Sequence, residues 1–252
     1  MNGTDAKGAV LVTGGSRGIG ARTVVRLAEA GFPVAFLYHS REDAAAAVVR
    51  EVEGLGGRAL AIQADVSQEE DLLRAFAEVD KAFGQLSGLV NNAATGGGRS
   101  PLKTVERSQL ENVWATNITA PFICCREAVN RMSTANGGAG GAIVNVSSLA
   151  SRTGSPNVWV HYAASKAALE TMTIGLAKET AREGIRVNAI RCGVFDTEAH
   201  DGFGEDRLAA LMAAVPMHRM GDANEAADVI EYLMSPRASY ITGSLVDVSG
   251  GM

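Results

Sequence analysis

The sequence predicts an α/β fold, a Rossmann-like doubly wound parallel sheet with helices on both faces. Three observations predict it. Short apolar strands alternate with amphipathic helices along all 252 residues. A glycine-rich turn joins the first strand to the first helix. Linkers, repeats and shifts of composition are absent from the sequence, so we expect a single dinucleotide-binding and catalytic domain over residues 1–252.

The first strand, Ala9–Thr13, leads into a glycine-rich turn and a helix from Ala21 to Ala30. The turn has the spacing Gly-x-x-x-Gly-x-Gly. Glycines let the backbone approach a pyrophosphate, and a helix N-terminus favours its negative charge. A plain turn is the alternative interpretation. We predict a phosphate-binding loop formed by Gly14, Ser16, Arg17, Gly18, Ile19 and Gly20.

The second strand, Pro33–Tyr38, is followed by the residues that decide cofactor choice. In such folds an acidic residue about 20 positions beyond the glycine loop binds the ribose 2′-hydroxyl and indicates NAD. Here the first acidic residue is Glu42, preceded by Tyr38, His39, Ser40 and Arg41. Arg17 and Arg41 suit a 2′-phosphate, which favours NADP and leaves NAD possible. Alternatively, Arg41 only begins a solvated helix that ends near Gly54.

The alternation continues to the end of the chain. We predict further strands at 58–63, 86–90, 142–146, 185–190 and 244–248. Further helices are predicted up to residue 83, at 108–132, from Tyr162 to 182, at 206–214 and at 224–234. Ser67 and Glu70 have the spacing of a capping box at the start of the third helix. Right-handed crossovers then give the strand order 3-2-1-4-5-6-7.

Ligands of such sheets bind beyond the carboxyl ends of the strands. The candidate residues there are Asp65 and Val66 after the third strand, Asn91 and Ala93 after the fourth, Ser148 after the fifth, and Gly193, Val194 and Thr197 after the sixth. We expect these side chains to meet the glycine loop at one edge of the sheet.

Tyr162 and Lys166 lie four residues apart in a predicted helix and therefore share a face. A lysine ammonium beside a phenol stabilises the phenolate and lowers the tyrosine pKa from its reference of about 10. Tyr162 is then a candidate proton donor and acceptor near neutral pH. The alternative is an exposed lysine and a half-buried tyrosine on an ordinary helix. The strand-end residues favour the catalytic interpretation.

Several motifs occur in a fixed order along the chain: Thr13-Gly14-x-x-x-Gly18-x-Gly20, Asp65-Val66, Asn91-Asn92-Ala93-Ala94, Asn117, Ser147-Ser148, Tyr162-x-x-x-Lys166 and Arg191-Cys192-Gly193-Val194-x-x-Thr197. With them the chain resembles the short-chain dehydrogenase/reductase family, in its form of about 250 residues. The resemblance covers essentially the whole length, from Thr13 to Gly251.

The resemblance implies a role for each of four residues. Tyr162 would be the general acid in carbonyl reduction and the general base in alcohol oxidation. Lys166 would lower its pKa and, with Tyr162, contact the nicotinamide ribose. Ser148 would donate to the substrate oxygen, and Asn117 would hold a water near Lys166. The implied activity is an NADP-dependent interconversion of a ketone or aldehyde and its alcohol.

Three departures from the family pattern stand out. Ala94 replaces a glycine after the fourth strand, and Cys192 replaces a proline after the sixth. We interpret Cys192 as a small, half-buried thiol rather than a reactive one. Ser148 precedes the tyrosine by fourteen positions, where many members have thirteen, and we expect Val158–His161 to absorb the extra residue. Ser147, fifteen positions away, is the less favoured alternative.

Substrate choice is predicted to lie in a mobile lid over residues 195–220. Four apolar lid residues are candidates for a pocket wall, Phe195, Phe203, Met212 and Met217. Polar substrate groups have candidate contacts in His200 and Asp201, and Trp159 and His161 flank the tyrosine.

The remaining expectations concern partners and location. A net charge of −5 without a basic run argues against nucleic acid and anionic membranes as partners. A polar N-terminus and the lack of an apolar run of about 20 residues predict neither a leader nor a membrane span. Three cysteines without ligand spacing predict no metal site and a reducing cytoplasm. The resemblance implies a homotetramer or homodimer.

Two other functions stay open. One is a 3-oxoacyl-thioester reductase of fatty-acid type. The other is a dinucleotide-binding regulator that has lost catalysis, which the intact tyrosine and lysine disfavour.

Overall fold

The computed structural model describes residues 7–197 and 205–252, with the backbone alone at 205–208 and 210. The strands are β1 (Ala9–Val12), β2 (Val34–Tyr38), β3 (Ala59–Gln63), β4 (Leu86–Asn91), β5 (Gly141–Ser148), β6 (Ile185–Cys192) and β7 (Leu245–Val248). The α-helices are α1 (Gly18–Glu29), α2 (Glu42–Gly54), α3 (Glu69–Phe83), α4 (Arg107–Trp114), α5 (Ala120–Met132), α6 (Ala150–Thr153), α7 (Val160–Thr180), α8 (Glu205–Ala214) and α9 (Ala223–Met234).

Within the described residues, the seven strands form one parallel sheet in the order β3-β2-β1-β4-β5-β6-β7. This confirms the predicted fold class and strand order. Helices cover both faces of the sheet, so the central strands are buried on both sides and are mostly apolar. In β1, for example, Val10 and Val12 pack with α1 and α9, whereas Leu11 packs with α3 and α5 on the other face.

The predicted capping box at Ser67 and Glu70 is wrong. The third helix begins at Glu69, and its N-cap is Gln68, which makes no side-chain cap. Ser67 instead bonds to Asp65 Oδ1, through its hydroxyl at 2.7 Å and through its backbone N–H at 2.9 Å. A nearby carboxylate thus competes for the serine and forms a turn before the helix starts.

The predicted helix over 108–132 contains a single π-helical turn, Ala115–Thr119, between α4 and α5. Such wide turns occur mostly as isolated insertions in α-helices and often lie at functional sites. Asn117 is at the centre of this one, and it is buried. The periodicity of apolar residues did not indicate the interruption, because the helix continues on both sides with the same buried face.

Across the part of the chain that the structure describes, we find no helix with the combined length and apolar character needed to cross a membrane.

Candidate active site

A cleft of about 930 Å³ lies along the carboxyl edge of the sheet, as expected for this architecture. Nineteen of the predicted site residues line it, which are Gly14, Ser16, Arg17, Gly18, Ile19, Gly20, Tyr38, His39, Ser40, Arg41, Asp65, Val66, Ala93, Ser148, Tyr162, Lys166, Gly193, Val194 and Thr197. The strand order therefore brings together residues that are up to 183 positions apart in the chain, from Gly14 to Thr197.

The glycine loop forms one end of the cleft and fits a dinucleotide phosphate. A Cβ on Gly20 would overlap the Gly14 carbonyl oxygen, which shows how closely the loop folds onto the start of α1. Gly14 itself has φ of +66°, a conformation that favours glycine. The helix starts at an extended residue, Arg17, with no side-chain cap and no acidic residue in its first turn. Its N-terminus can therefore receive a phosphate.

Arg17 and Arg41, the two residues predicted to face a 2′-phosphate, both line the cleft. Arg41 Nε lies 3.2 Å from Asp43 Oδ1, so this arginine also makes the solvated contact that the alternative interpretation expected. Both side chains of that pair are exposed. An exposed pair contributes only about 0–1 kcal/mol, so the guanidinium can exchange Asp43 for a ligand phosphate at little cost.

Asn91 was predicted to bind the cofactor, but the structure places it behind the cleft. It is 3% exposed, and its Nδ2 donates to Asn145 Oδ1 at 2.9 Å and contacts Cys125 Sγ. The next residue, Asn92, lines the cleft and donates to the carbonyl oxygens of Thr13 and Gly14 at 3.0 and 2.9 Å. Successive side chains at a strand end point to opposite sides, which is the signal that distinguishes the two asparagines.

Ser148 and Tyr162 line the same cleft as the glycine loop. The Ser148 hydroxyl interacts with the Tyr162 phenol and lowers its pKa. Ser148 is the last residue of β5, and its Oγ also accepts the Ala150 N–H at 3.1 Å. The hydroxyl of the alternative residue, Ser147, donates instead to Glu170 Oε1 at 2.7 Å. The geometry thus brings Ser148, not Ser147, to the tyrosine.

Lys166 is 3% exposed and lies beside Tyr162. Its Nζ donates to the Val146 carbonyl oxygen at 2.8 Å and is 5.6 Å from the centre of the tyrosine ring. Burial lowers the pKa of Lys166 to about 8. The ammonium therefore lies next to the phenol, as the four-residue spacing predicts. Burial of Lys166 disfavours its charged form.

The expected lowering of the Tyr162 pKa is contradicted. Although Tyr162 as a whole is half-buried, desolvation raises its pKa to about 12, more than the Ser148 hydrogen bond lowers it. At neutral pH the tyrosine is an uncharged phenol, which is the form that donates a proton.

Lys166→Met gives a pH-dependent test of this environment. The lysine pKa is about 8 in the folded protein and 10.5 in the reference state, so between these values the unfolded chain binds more protons and stability rises with pH. The unfolding free energy of the variant minus that of wild type should be highest below pH 8. It should fall as pH rises to 10.5, because wild type gains stability over this range and the variant does not. Urea titrations across this range measure it, with Lys178→Met on the exposed side of α7 as the control. A pH-independent difference would contradict the buried ammonium.

Asn117 does not line the cleft. It is 1% exposed, its Oδ1 accepts the Thr95 N–H at 2.9 Å, and its Nδ2 donates to the Thr95 carbonyl at 2.9 Å and to Ser165 Oγ at 3.0 Å. The residue therefore joins the loop after β4 to α7, which is the backbone-satisfying role expected of a mid-helix asparagine. The water-holding role remains a prediction.

The two residues that flank the tyrosine differ in position. Trp159 lines the cleft, with its ring 6.1 Å from the Tyr162 ring and the Arg99 guanidinium 5.4 Å above the indole. His161 is buried, and its Nε2 lies 3.0 Å from the Gly96 carbonyl oxygen. Trp159 can therefore contact a substrate, whereas His161 holds the loop after β4.

The placement of the extra residue within Val158–His161 remains a prediction. Val160 and His161 already belong to α7. Ser155 and Asn157, by contrast, have positive φ angles of 41° and 63°. Two left-handed residues therefore lie in the loop between α6 and α7.

The two substituted positions cause no visible disruption. Ala94 is exposed at the rim of the cleft and lies outside the residues with positive φ, so its methyl group is accommodated. Cys192 is 8% exposed, and burial raises its thiol pKa to about 12. It stays protonated at neutral pH, which agrees with an unreactive thiol.

Among the predicted lid residues, Phe195 is buried and lines the cleft. Met212 and Met217 are 38% and 58% exposed and do not line it. Three further candidates, His200, Asp201 and Phe203, lie outside the described residues.

The chain is similar to known proteins over nearly its whole length. The family model described as Enoyl-(Acyl carrier protein) reductase matches residues 14–252. The Uncharacterized oxidoreductase YgfF of Escherichia coli (strain K12) is 46% identical over 242 residues, covering 96% of this chain and 98% of that protein. The 3-oxoacyl-[acyl-carrier-protein] reductase FabG of Staphylococcus aureus (strain N315) is 34% identical and covers 96% of each chain.

Solved structures share the whole fold. A blue fluorescent protein from a metagenomic library, in complex with NADPH, has a TM-score of 0.90 and 35% identity, covering 97% of both chains. A short-chain dehydrogenase/reductase from Serratia marcescens has a TM-score of 0.90 and 34% identity, also covering 97% of both. The fold, the cleft and these similarities together show that the chain belongs to the short-chain dehydrogenase/reductase family of oxidoreductases.

Proposed function

We propose that the protein is an NADP(H)-dependent oxidoreductase that interconverts a ketone or aldehyde and its alcohol, with Tyr162 as general acid and base. One observation carries the proposal. Tyr162, Ser148 and Lys166 line the same cleft as the glycine loop, with Lys166 beside the tyrosine ring. A cofactor held by the loop and a substrate held by Tyr162 and Ser148 would then be adjacent.

The bound cofactor supplies or accepts a hydride, and the chain supplies orientation and proton chemistry. Ser148 orients the substrate oxygen and donates a hydrogen bond to the charge that develops on it. Tyr162, a neutral phenol at neutral pH, gives its proton to that oxygen during reduction. Lys166 holds a positive charge next to the phenol and so favours the tyrosinate left after transfer. Asn117 keeps the loop after β4 attached to α7.

The preference for NADP rests on Arg17 and Arg41 at the adenosine end, and the related metagenomic protein binds NADPH. Arg41→Ala should raise the Kd for NADPH by roughly tenfold or more, because a hydrogen bond to a charged group contributes about 1.5–3 kcal/mol. The Kd for NADH should not change. Fluorescence titration measures both, with Arg50→Ala, an exposed arginine of α2 outside the cleft, as control. Equal affinity of wild type for the two cofactors would defeat the NADP preference.

A substrate screen tests the function as a whole. Purified protein is incubated with NADPH and a panel of ketones and aldehydes, or with NADP and the matching alcohols, while the absorbance of NADPH is followed. The proposal expects turnover of at least one class. Cofactor binding without turnover across a broad panel would indicate the non-catalytic regulator.

A 3-oxoacyl-thioester reductase is the second candidate, favoured by the similarity to FabG. Such an enzyme must receive an acidic carrier protein, for which a basic surface is the natural complement. Arg126 pairs with Glu69 and Glu127, and Arg131 pairs with Asp80 and Glu127, so these charges are already balanced. We therefore place simple carbonyl compounds first. Thioesters in the screen separate the two candidates.

The assembly, organisation and location of the protein complete the proposal. We propose that residues 1–252 form one domain, in which residues 195–220 are the substrate lid. We also propose that the protein assembles as a homotetramer or homodimer. The exposed Phe122 of α5 and Ile174 of α7 offer apolar contact surface, 53% and 37% accessible. The three cysteines are free thiols, which fits the reducing cytoplasm as location.

A further inference from the structure

Glu170 is a buried carboxylate near the catalytic pair that the mechanism does not use. It lies on α7 and is 7% exposed. Its Oε1 accepts the Ser147 hydroxyl at 2.7 Å, the Ser151 hydroxyl at 2.5 Å and Arg191 Nε at 2.9 Å. Its Oε2 accepts from the same guanidinium at 2.8 Å. We call these four residues the Glu170 cluster.

The two serines of the cluster bracket Ser148. Ser147 is its neighbour in β5, and Ser151 Oγ lies 2.7 Å from the Ser148 carbonyl oxygen. The single Ser151 hydroxyl proton lies within hydrogen-bond distance of both the Glu170 carboxylate and the Ser148 carbonyl oxygen, so the two acceptors share it. Glu170 therefore holds the hydroxyls of two residues that flank the one facing Tyr162, and one of these hydroxyls also contacts the Ser148 backbone.

The same carboxylate belongs to the helix that carries the catalytic side chains. Tyr162, Lys166 and Glu170 are spaced four residues apart and share one face of α7. The Ser147 hydroxyl is also 3.4 Å from the Lys166 carbonyl oxygen. Glu170 thus joins the end of β5 directly to the Tyr162 face of the helix.

Arg191 holds the carboxylate in place from the neighbouring strand. It lies on β6, its guanidinium also reaches Asp247 of β7 at 3.2 Å, and the Arg191 and Glu170 side chains are 17% and 9% exposed. A two-point ion pair shielded from solvent restricts the orientation of the carboxylate more than an exposed pair would. The Glu170 carboxylate therefore accepts the two serine hydroxyls in a fixed orientation.

We propose that Glu170 is a positioning residue for the proposed reaction, holding Ser148 against Tyr162 through Ser147 and Ser151. This inference rests on the proposed function. Glu170 does not line the cleft, so it acts through Ser148 rather than on the substrate.

The test is a double-mutant cycle between Glu170→Gln and Ser148→Ala, with kcat, KM, cofactor Kd and Tm measured for each variant. A displaced catalytic group can cost up to about 10²-fold in rate, so Glu170→Gln should lower kcat by up to that factor with KM and cofactor Kd little changed. In the Ser148→Ala background, Glu170→Gln should have no further effect on kcat, because the group it positions is gone.

Two further variants complete the design. Ser147→Ala combined with Ser151→Ala leaves the ion pair intact and should reproduce the loss of kcat, which keeps the test valid if Glu170→Gln does not fold. Arg152→Ala removes a separate contact to Asp247, 2.7 Å long, and should leave kcat unchanged.

The outcomes separate the two proposals. Equal losses of kcat from Glu170→Gln in both backgrounds would overturn the positioning role, as would full activity of the double serine variant. Full activity of Ser148→Ala would instead overturn the role of Ser148 in the proposed function.

Discussion

Tyr162→Phe is expected to lower kcat by roughly 10²–10⁴-fold, the range for loss of a general acid, with the affinity for NADPH unchanged. The substitution removes one oxygen atom and keeps the ring that packs near Trp159. That oxygen contacts Ser148 and carries the proton that reduction of a carbonyl requires. Its pKa of about 12 keeps it protonated throughout the neutral range, so it acts as an acid there.

The measurement is kcat on whichever carbonyl compound the screen identifies, beside a fluorescence titration with NADPH. Tyr240→Phe is the matched control, because Tyr240 is fully exposed and does not line the cleft. It should keep wild-type rates. Undiminished turnover by Tyr162→Phe would remove the tyrosine from the mechanism.

Gly20→Ala should abolish detectable cofactor binding while leaving a folded protein. The new methyl group would overlap the Gly14 carbonyl oxygen and come within 2.5 Å of Asn92 Nδ2. Overpacking of this kind costs about 1–3 kcal/mol of stability, so the loop must open away from α1. The start of the helix and the loop backbone then no longer form a phosphate site.

Gly54→Ala is the control for the loop variant. Gly54 is the last residue of α2, and a Cβ there meets no atom within 4 Å. Alanine should raise the unfolding free energy by about 0.4–1 kcal/mol and leave cofactor binding unchanged. Wild-type cofactor affinity in Gly20→Ala would contradict the role given to the loop.

The fold was predictable because its determinants are local and repeated. Val10 and Leu11, adjacent in β1, are both buried because helices cover both faces, and the sequence records this as an apolar run followed by amphipathic helices. Right-handed crossovers then leave few possible strand orders. The capping box failed because Ser67 has a stronger local partner in Asp65, which spacing alone does not reveal.

Much of the site was predictable for the same reason, since strand ends converge at one edge of the sheet. The site predictions that the structure corrects concern properties that depend on the three-dimensional environment of a residue. Asn91 and Asn92 differ only in the side of the sheet that they face. The pKa of Tyr162 is set by desolvation, which helix spacing does not measure. Glu170 lies eight positions beyond the tyrosine, and its donors come from β5, α6 and β6, so its role needs the folded arrangement.

Transfer of isotope from cofactor to product tests the central claim most directly. The protein is given NADPH deuterated at the reactive carbon of the nicotinamide, together with a carbonyl compound that is turned over, and the alcohol is analysed by mass spectrometry and NMR. We predict deuterium on the carbinol carbon of the product from wild type, and formation of labelled alcohol that is slower by roughly 10²–10⁴-fold from Tyr162→Phe. An alcohol formed without deuterium at that carbon, or a wild-type protein that binds NADPH and labels no carbonyl compound of the panel, would contradict the proposed oxidoreductase.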